Sequence, residues 1–337
     1  MTPGFGLHFW FLLSLLYASL SHAGHPAWEA DSRTMTSKWI HVNPSVSYPL
    51  WDHETIRYCY NSRESKNRLA ETIRAGWQLW YAAGVPETFR FVEHSKARCD
   101  RDKNNYLLVI GDEAEPSLMT SAGKTPMVPY NRPTMYIVFE EEDIHLRGLL
   151  AAHEIGHAWG LLHEHQAPLI WQFAYRATRP DSLVQFYCEN VLGYRQLLRE
   201  IPNTLELWSE DGPCRNMIRA QEMDFFGADI LPWKMPYQSP HHLWPTDDDV
   251  DWDSIMIYQS RSFGEADERG NSKITLVRSK DLMLIPEPQT VTVLDVYGLL
   301  HLYRTRYGKF SEVFHNDPKS VWYSLFRRKV QSCPVQS

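Results

Sequence analysis

From about residue 50 onward, hydrophobic and polar positions follow in turn the two periods that strands and helices require. Thr55 to Tyr60 carries β-branched and aromatic residues and predicts a strand. From about Glu64 to Ala83, Leu69, Ile73, Trp77 and Trp80 recur at spacings of four, four and three, so one stripe of a helix is apolar, and Gly84 with Pro86 ends it. That tryptophan-bearing stripe is read as core. Strands are predicted at Thr88 to Glu93, Tyr106 to Gly111 and Thr134 to Phe139, and a second helix from near Asp143 with Leu149 and Leu150 inward. Later, Asp181 to Glu200 sets Leu183, Tyr187, Val191, Tyr194 and Leu198 at helical spacing. Ile274 to Val277 reads as a short strand, and Val293 to Tyr303 as a helix with Val296, Leu299, Leu300 and Tyr303 inward.

Residues 1–23 stand outside this pattern. Phe9 to Leu20 is a short apolar run and Ser21-His22-Ala23 supplies small residues for cleavage, so an export signal is expected. The run is shorter than the roughly 20 apolar residues of a bilayer span, and no later stretch is apolar enough to make one. The mature chain is therefore expected to be secreted, extracellular and free of the membrane. Residues 24–48 are expected to form a leader or short propeptide, and 309–337 a C-terminal tail that packs through Val321, Trp322 and Phe326. The 337-residue chain is long enough for a substantial core after these are set aside.

A formal net charge of −7, with no Lys/Arg-rich run, argues against nucleic acid as a partner. The five cysteines, Cys59, Cys99, Cys188, Cys214 and Cys333, all follow the export segment, where disulfides persist, and the odd count leaves one over. Cys188 with Cys214 is the favoured bridge because it closes a local loop, worth about 3 kcal/mol, and Cys59 with Cys99 is second. No acceptor sequon for N-glycosylation is present, because Asn43 is followed by Pro44. The acidic run Asp247-Asp248-Asp249-Val250-Asp251 lacks the glycine and terminal glutamate of a calcium loop and reads as solvated.

The chemistry gathers in His153-Glu154-Ile155-Gly156-His157-Ala158-Trp159-Gly160-Leu161-Leu162-His163-Glu164. Histidines four apart share one face of a helix, so His153 and His157 aim two imidazoles the same way. Gly160 can end the helix in a left-handed turn, which lets His163 return as a third ligand. Three imidazoles with an open position are the donor set of a catalytic zinc ion, and Glu154 stands where a base would hold the attacking water. His165, His241 and His242 lack this register and are read as ordinary surface or cleft histidines.

This motif resembles that of the metzincin metallopeptidases, and Glu164 after the third histidine resembles the astacin family. Ser254-Ile255-Met256-Ile257-Tyr258 is similar to that family's Met-turn. The resemblance implies an α+β metzincin zinc-peptidase fold across 49–308. Its upper subdomain would hold a twisted mixed sheet and the zinc helix, and its lower subdomain would be irregular and mainly helical. Strand, helix, three strands and zinc helix is the order such an upper subdomain would have. Its last strand, Thr134 to Phe139, is expected to edge the cleft, where an extended substrate would add as a further strand.

By the same resemblance Met256 underlies the zinc, and Tyr258 is a mobile phenol that stabilises the oxyanion. Asp31, in Trp28-Glu29-Ala30-Asp31, would block the zinc in a zymogen. A new amino terminus near Ser47 or Tyr48 would be buried close to Glu164, which otherwise organises the cleft floor. The implied activity is that of a secreted zinc-dependent endopeptidase, monomeric, with one Zn2+ and peptide or protein substrates. The alternative is an inactive metzincin-fold zinc-binding protein acting in recognition. Two features depart from the family: His165-Gln166-Ala167-Pro168 replaces the usual continuation, and about 167–250 is an insertion.

Overall fold

The computed structural model describes residues 40, 42, 49–112, 117–138, 143–171, 182–232, 247 and 250–303. The export segment 1–23, Asp31, Asp181, His241, His242, Asp248, Asp249, Cys333 and the tail 309–337 lie outside the described residues, as does 24–48 apart from Ile40 and Val42. The described residues form two compact units, one within 49–112, 120–161 and 289–303, the other within 162–288 with 40, 42 and 117–119.

The fold is α+β. In the first unit β1 (Thr55–Tyr60) leads to α1 (Arg63–Ala83), then β2 (Arg90–Glu93), the short α2 (Lys96–Arg101) and β3 (Leu107–Ile110). β4 (Ser117–Thr120), whose first three residues group with the other unit, β5 (Thr134–Val138) and α3 (Ile144–Trp159) follow. The five strands run in the order β2-β1-β3-β5-β4, and β1–β2, β1–β3 and β3–β5 are parallel. Thus β2 and β4 are the edge strands, β4 with no clear sequence signal, and the expectation that 134–139 forms an edge is corrected. The apolar side chains of Leu107, Val109, Met135 and Ile137 are buried, as an interior strand requires.

Helix α1 starts where Ser62 accepts from the Ser65 N–H and ends at Gly84, whose φ of 102° only glycine adopts without cost. Its buried stripe includes Leu69, Ile73 and Trp80, while Trp77 is half-buried. Helix α3 lies against it at very close range: a Cβ added at Gly76 would stand 2.8 Å from the Ala151 Cβ. The Trp80 indole donates to the Ala152 carbonyl at 2.9 Å and ties the two helices further. Cys59 and Cys99 are bridged, fixing α2 to β1.

The second unit is irregular. Its elements include β6 (Val184–Phe186), α4 (Tyr194–Glu200), α5 (Thr204–Leu207), α6 (Met217–Glu222) and β7 (Leu276–Arg278), with β6 and β7 antiparallel. The helix expected over 181–200 is corrected here, since among the described residues only its last third is α-helical, with a 3-10 turn at Cys188–Asn190. Val184 and Phe186 are buried with Gln185 exposed between them, which is strand period, and Gly193 at φ 87° interrupts the chain before α4. Cys188 is bridged to Cys214, so both cysteine pairings favoured on sequence are present. The strand expected at 274–277 forms two residues later. The last described helix, α7 (Val293–Leu302), belongs to the first unit and opens with a capping box between Thr292 and Asp295.

Candidate metal centre

Helix α3 begins at Asp143, whose side chain accepts from the N–H groups of His145 and Leu146. It ends at Gly160, left-handed at φ 106°, whose N–H donates to the carbonyls of Gly156 and His157. The chain then leaves extended, with His163 at φ −65° and ψ 124°. One ring nitrogen from each of His153, His157 and His163 lies within 4.8 Å of the others.

Hydrogen bonds decide which nitrogens are available. His157 Nδ1 lies 2.9 Å from the Leu161 carbonyl, which only accepts, so Nδ1 carries the proton and Nε2 keeps its lone pair. That Nε2 is 3.1 Å from His153 Nε2. His163 Nδ1 lies 3.0 Å from Gln166 Oε1, and the same logic leaves its Nε2 as the ligand atom. Two imidazole nitrogens converging, with a third nearby, fit a zinc ion in both donor type and number.

Glu154 is 3% exposed, and its Oε2 has no hydrogen-bond partner among the described residues. Burial pushes its carboxyl up to about 7, with the Thr120 hydroxyl pulling the other way. A carboxyl kept near neutrality in an apolar setting is suited to exchanging a proton.

The segment after His163 carries features that the sequence did not disclose. His165 is fully buried, which corrects its reading as a surface or cleft residue. Its Nε2 donates to the Asp229 carbonyl at 3.0 Å and its Nδ1 accepts from the Tyr258 N–H at 3.2 Å. Its ring stacks on that of Tyr258 at 4.5 Å, and Tyr258 in turn lies 4.3 Å from the His163 ring. Gln166, 1% exposed, donates from Nε2 to the carbonyls of Ala228 and Leu231. A run of polar residues after a motif gives no periodicity from which such burial can be read.

The Met-turn residues are drawn to the same segment. Met256 is buried, its N–H donates to the Ser254 Oγ at 2.9 Å, and its carbonyl accepts from the Glu164 N–H at 2.9 Å. Glu164 is itself buried. Among the described residues, no helix is long and apolar enough to cross a membrane.

No protein-family model matches the chain, and no curated protein sequence matches it. Among solved structures, the chain is similar to high choriolytic enzyme 1, a hatching-enzyme zinc protease from the medaka fish Oryzias latipes. Identity is 14%, the match covers 79% of this chain and 100% of that one, and the TM-score is 0.44. It is also similar to myroilysin in two structures. One is at 12% identity and TM-score 0.38, covering 77% of this chain and 97% of that one. The other is at 14% and 0.36, covering 78% and 88%.

Proposed function

We propose that this protein is a secreted zinc-dependent endopeptidase of astacin type. The observation that carries the reading is the meeting of three imidazole nitrogens within 4.8 Å, beside a buried Glu154 with an unpartnered oxygen. His153, His157 and His163 would hold a zinc ion, which would supply Lewis acidity toward a scissile carbonyl and lower the pKa of a water molecule. Glu154 takes the proton from that water and returns it to the leaving amine. Tyr258 donates a hydrogen bond to the developing oxyanion, a contribution on the order of a few kcal/mol. Met256, Glu164 and Gly160 shape the surroundings: a buried thioether, a buried carboxyl and the turn that brings His163 back.

Substrates are peptide or protein chains cut at internal bonds. Export rests on the short apolar run and small residues of 1–23 and on the two disulfides, Cys59–Cys99 and Cys188–Cys214. Residues 24–48 precede the peptidase domain as a leader or, in a zymogen, as a short propeptide whose Asp31 would block the zinc, and 309–337 follow it as a tail.

The test compares the purified full chain with its Glu154→Ala variant for zinc content and for cleavage of a broad peptide library. Both are expected to hold zinc while only the wild type cuts internal bonds. Zinc in both with cleavage in neither, even after trimming 24–48, would replace this reading with a recognition role.

A further inference from the structure

A histidine that donates from Nδ1 presents Nε2 to a metal, so whatever holds Nδ1 decides how well the ligand is organised before the metal arrives. For His163 that group is the Gln166 carboxamide. The carboxamide's orientation is fixed from its other end. Its Nε2 lies 3.2 Å from the Ala228 carbonyl and 3.0 Å from the Leu231 carbonyl, and both oxygens only accept. The amide nitrogen must therefore face them, which turns Oε1 toward His163 at 3.0 Å.

The far end of this strap is firm. Ala228 and Asp229 are buried in the turn Phe226–Asp229, and the Leu231 N–H donates to the Gly227 carbonyl at 2.9 Å. A Cβ at Gly227 would stand 2.4 Å from the Phe225 ring, so the turn is packed to its backbone. The Asp229 carbonyl, between the two that hold Gln166, accepts from His165. Three successive ties thus join 165–166 to 228–231.

We infer that Gln166 is a positioning residue for the third metal ligand, a carboxamide strap that fixes the tautomer of His163 and anchors it in the 226–231 turn. The inference rests on the zinc reading above and gives the long connection after the motif a role: it supplies the anchor. Gln166 touches neither metal nor substrate; it acts through His163.

The test measures zinc affinity of the full chain by chelator competition for wild type, Gln166→Leu and Gln166→Glu, with thermal unfolding of each metal-free protein to establish folding. Gln166→Leu keeps shape and loses all three hydrogen bonds, so zinc affinity should fall about 10- to 100-fold. Gln166→Glu restores an acceptor against His163 but sets its second oxygen against the Ala228 and Leu231 carbonyls, so it should recover only part of that loss. A folded Gln166→Leu protein with wild-type affinity overturns the strap while leaving the zinc reading intact; a wild type that binds no zinc overturns both. Should Gln166→Leu not fold, nitrogen-15 NMR of the metal-free wild type decides. A proton on His163 Nδ1 is the expected result, and a proton on Nε2 alone overturns the strap.

Discussion

His157 and His163 present the same ligand atom and are held by different means. His157 sits on a regular helix, and the carbonyl that fixes its tautomer belongs to Leu161, four residues on. His163 sits on extended backbone, and its carboxamide partner is in turn held by carbonyls 62 and 65 residues away. The first arrangement is written in local spacing and forms whenever α3 forms. The second exists only once a distant turn has folded, so two of the three ligands depend on local order and the third on tertiary order.

The sharpest way to test that contrast is to remove each element in turn. His157→Ala deletes a ligand; taking a third of the roughly 10 to 16 kcal/mol of a zinc site, its affinity should fall about a thousandfold, measured by chelator competition. The loss should exceed that of Gln166→Leu, because a strap orients what a ligand supplies.

Next in size is the bridge Cys188–Cys214, which closes a loop of sequence separation 26 in the unit that contains the anchoring turn. Replacing both cysteines by serine should cost about 3 kcal/mol in urea unfolding. A loss of zinc affinity with it would tie the anchor to the whole unit; unchanged affinity would confine it to the turn.

The smallest effect concerns Asp229, whose carboxyl burial pushes up to about 7. Between its unfolded value and about 7, the folded chain holds a proton that the unfolded chain has released, so stability falls as pH rises through that window and levels off above it. Asp229→Asn should flatten this slope and raise stability at pH 8 by about 1 to 2 kcal/mol, with local relaxation absorbing the rest of the burial penalty. Thermal unfolding from pH 4 to 8 reads it.

What the sequence disclosed follows the same division. The stripe of Leu69, Ile73 and Trp80, the Gly84 and Gly160 caps and the His153–His157 spacing are local, and each stands within a residue or two of expectation. β4 and α2 were missed because four strand residues and a six-residue polar helix carry too little periodicity. The 181–200 stretch misled because its apolar residues fit a helical spacing while Gly193 and the Cys188 bridge imposed another path. His165 and Gln166 were opaque for a different reason: polar residues become buried only when distant carbonyls satisfy them, and no local pattern marks that.

The central claim is that three histidines, two fixed locally and one fixed from a distance, share one zinc ion. It is tested by the metal content of the full chain after exhaustive dialysis, for wild type, His153→Ala and His163→Ala. The account predicts one zinc per wild-type chain and its loss from both variants. A wild type that emerges without zinc, or a His163→Ala chain that keeps it as tightly as wild type, would contradict it.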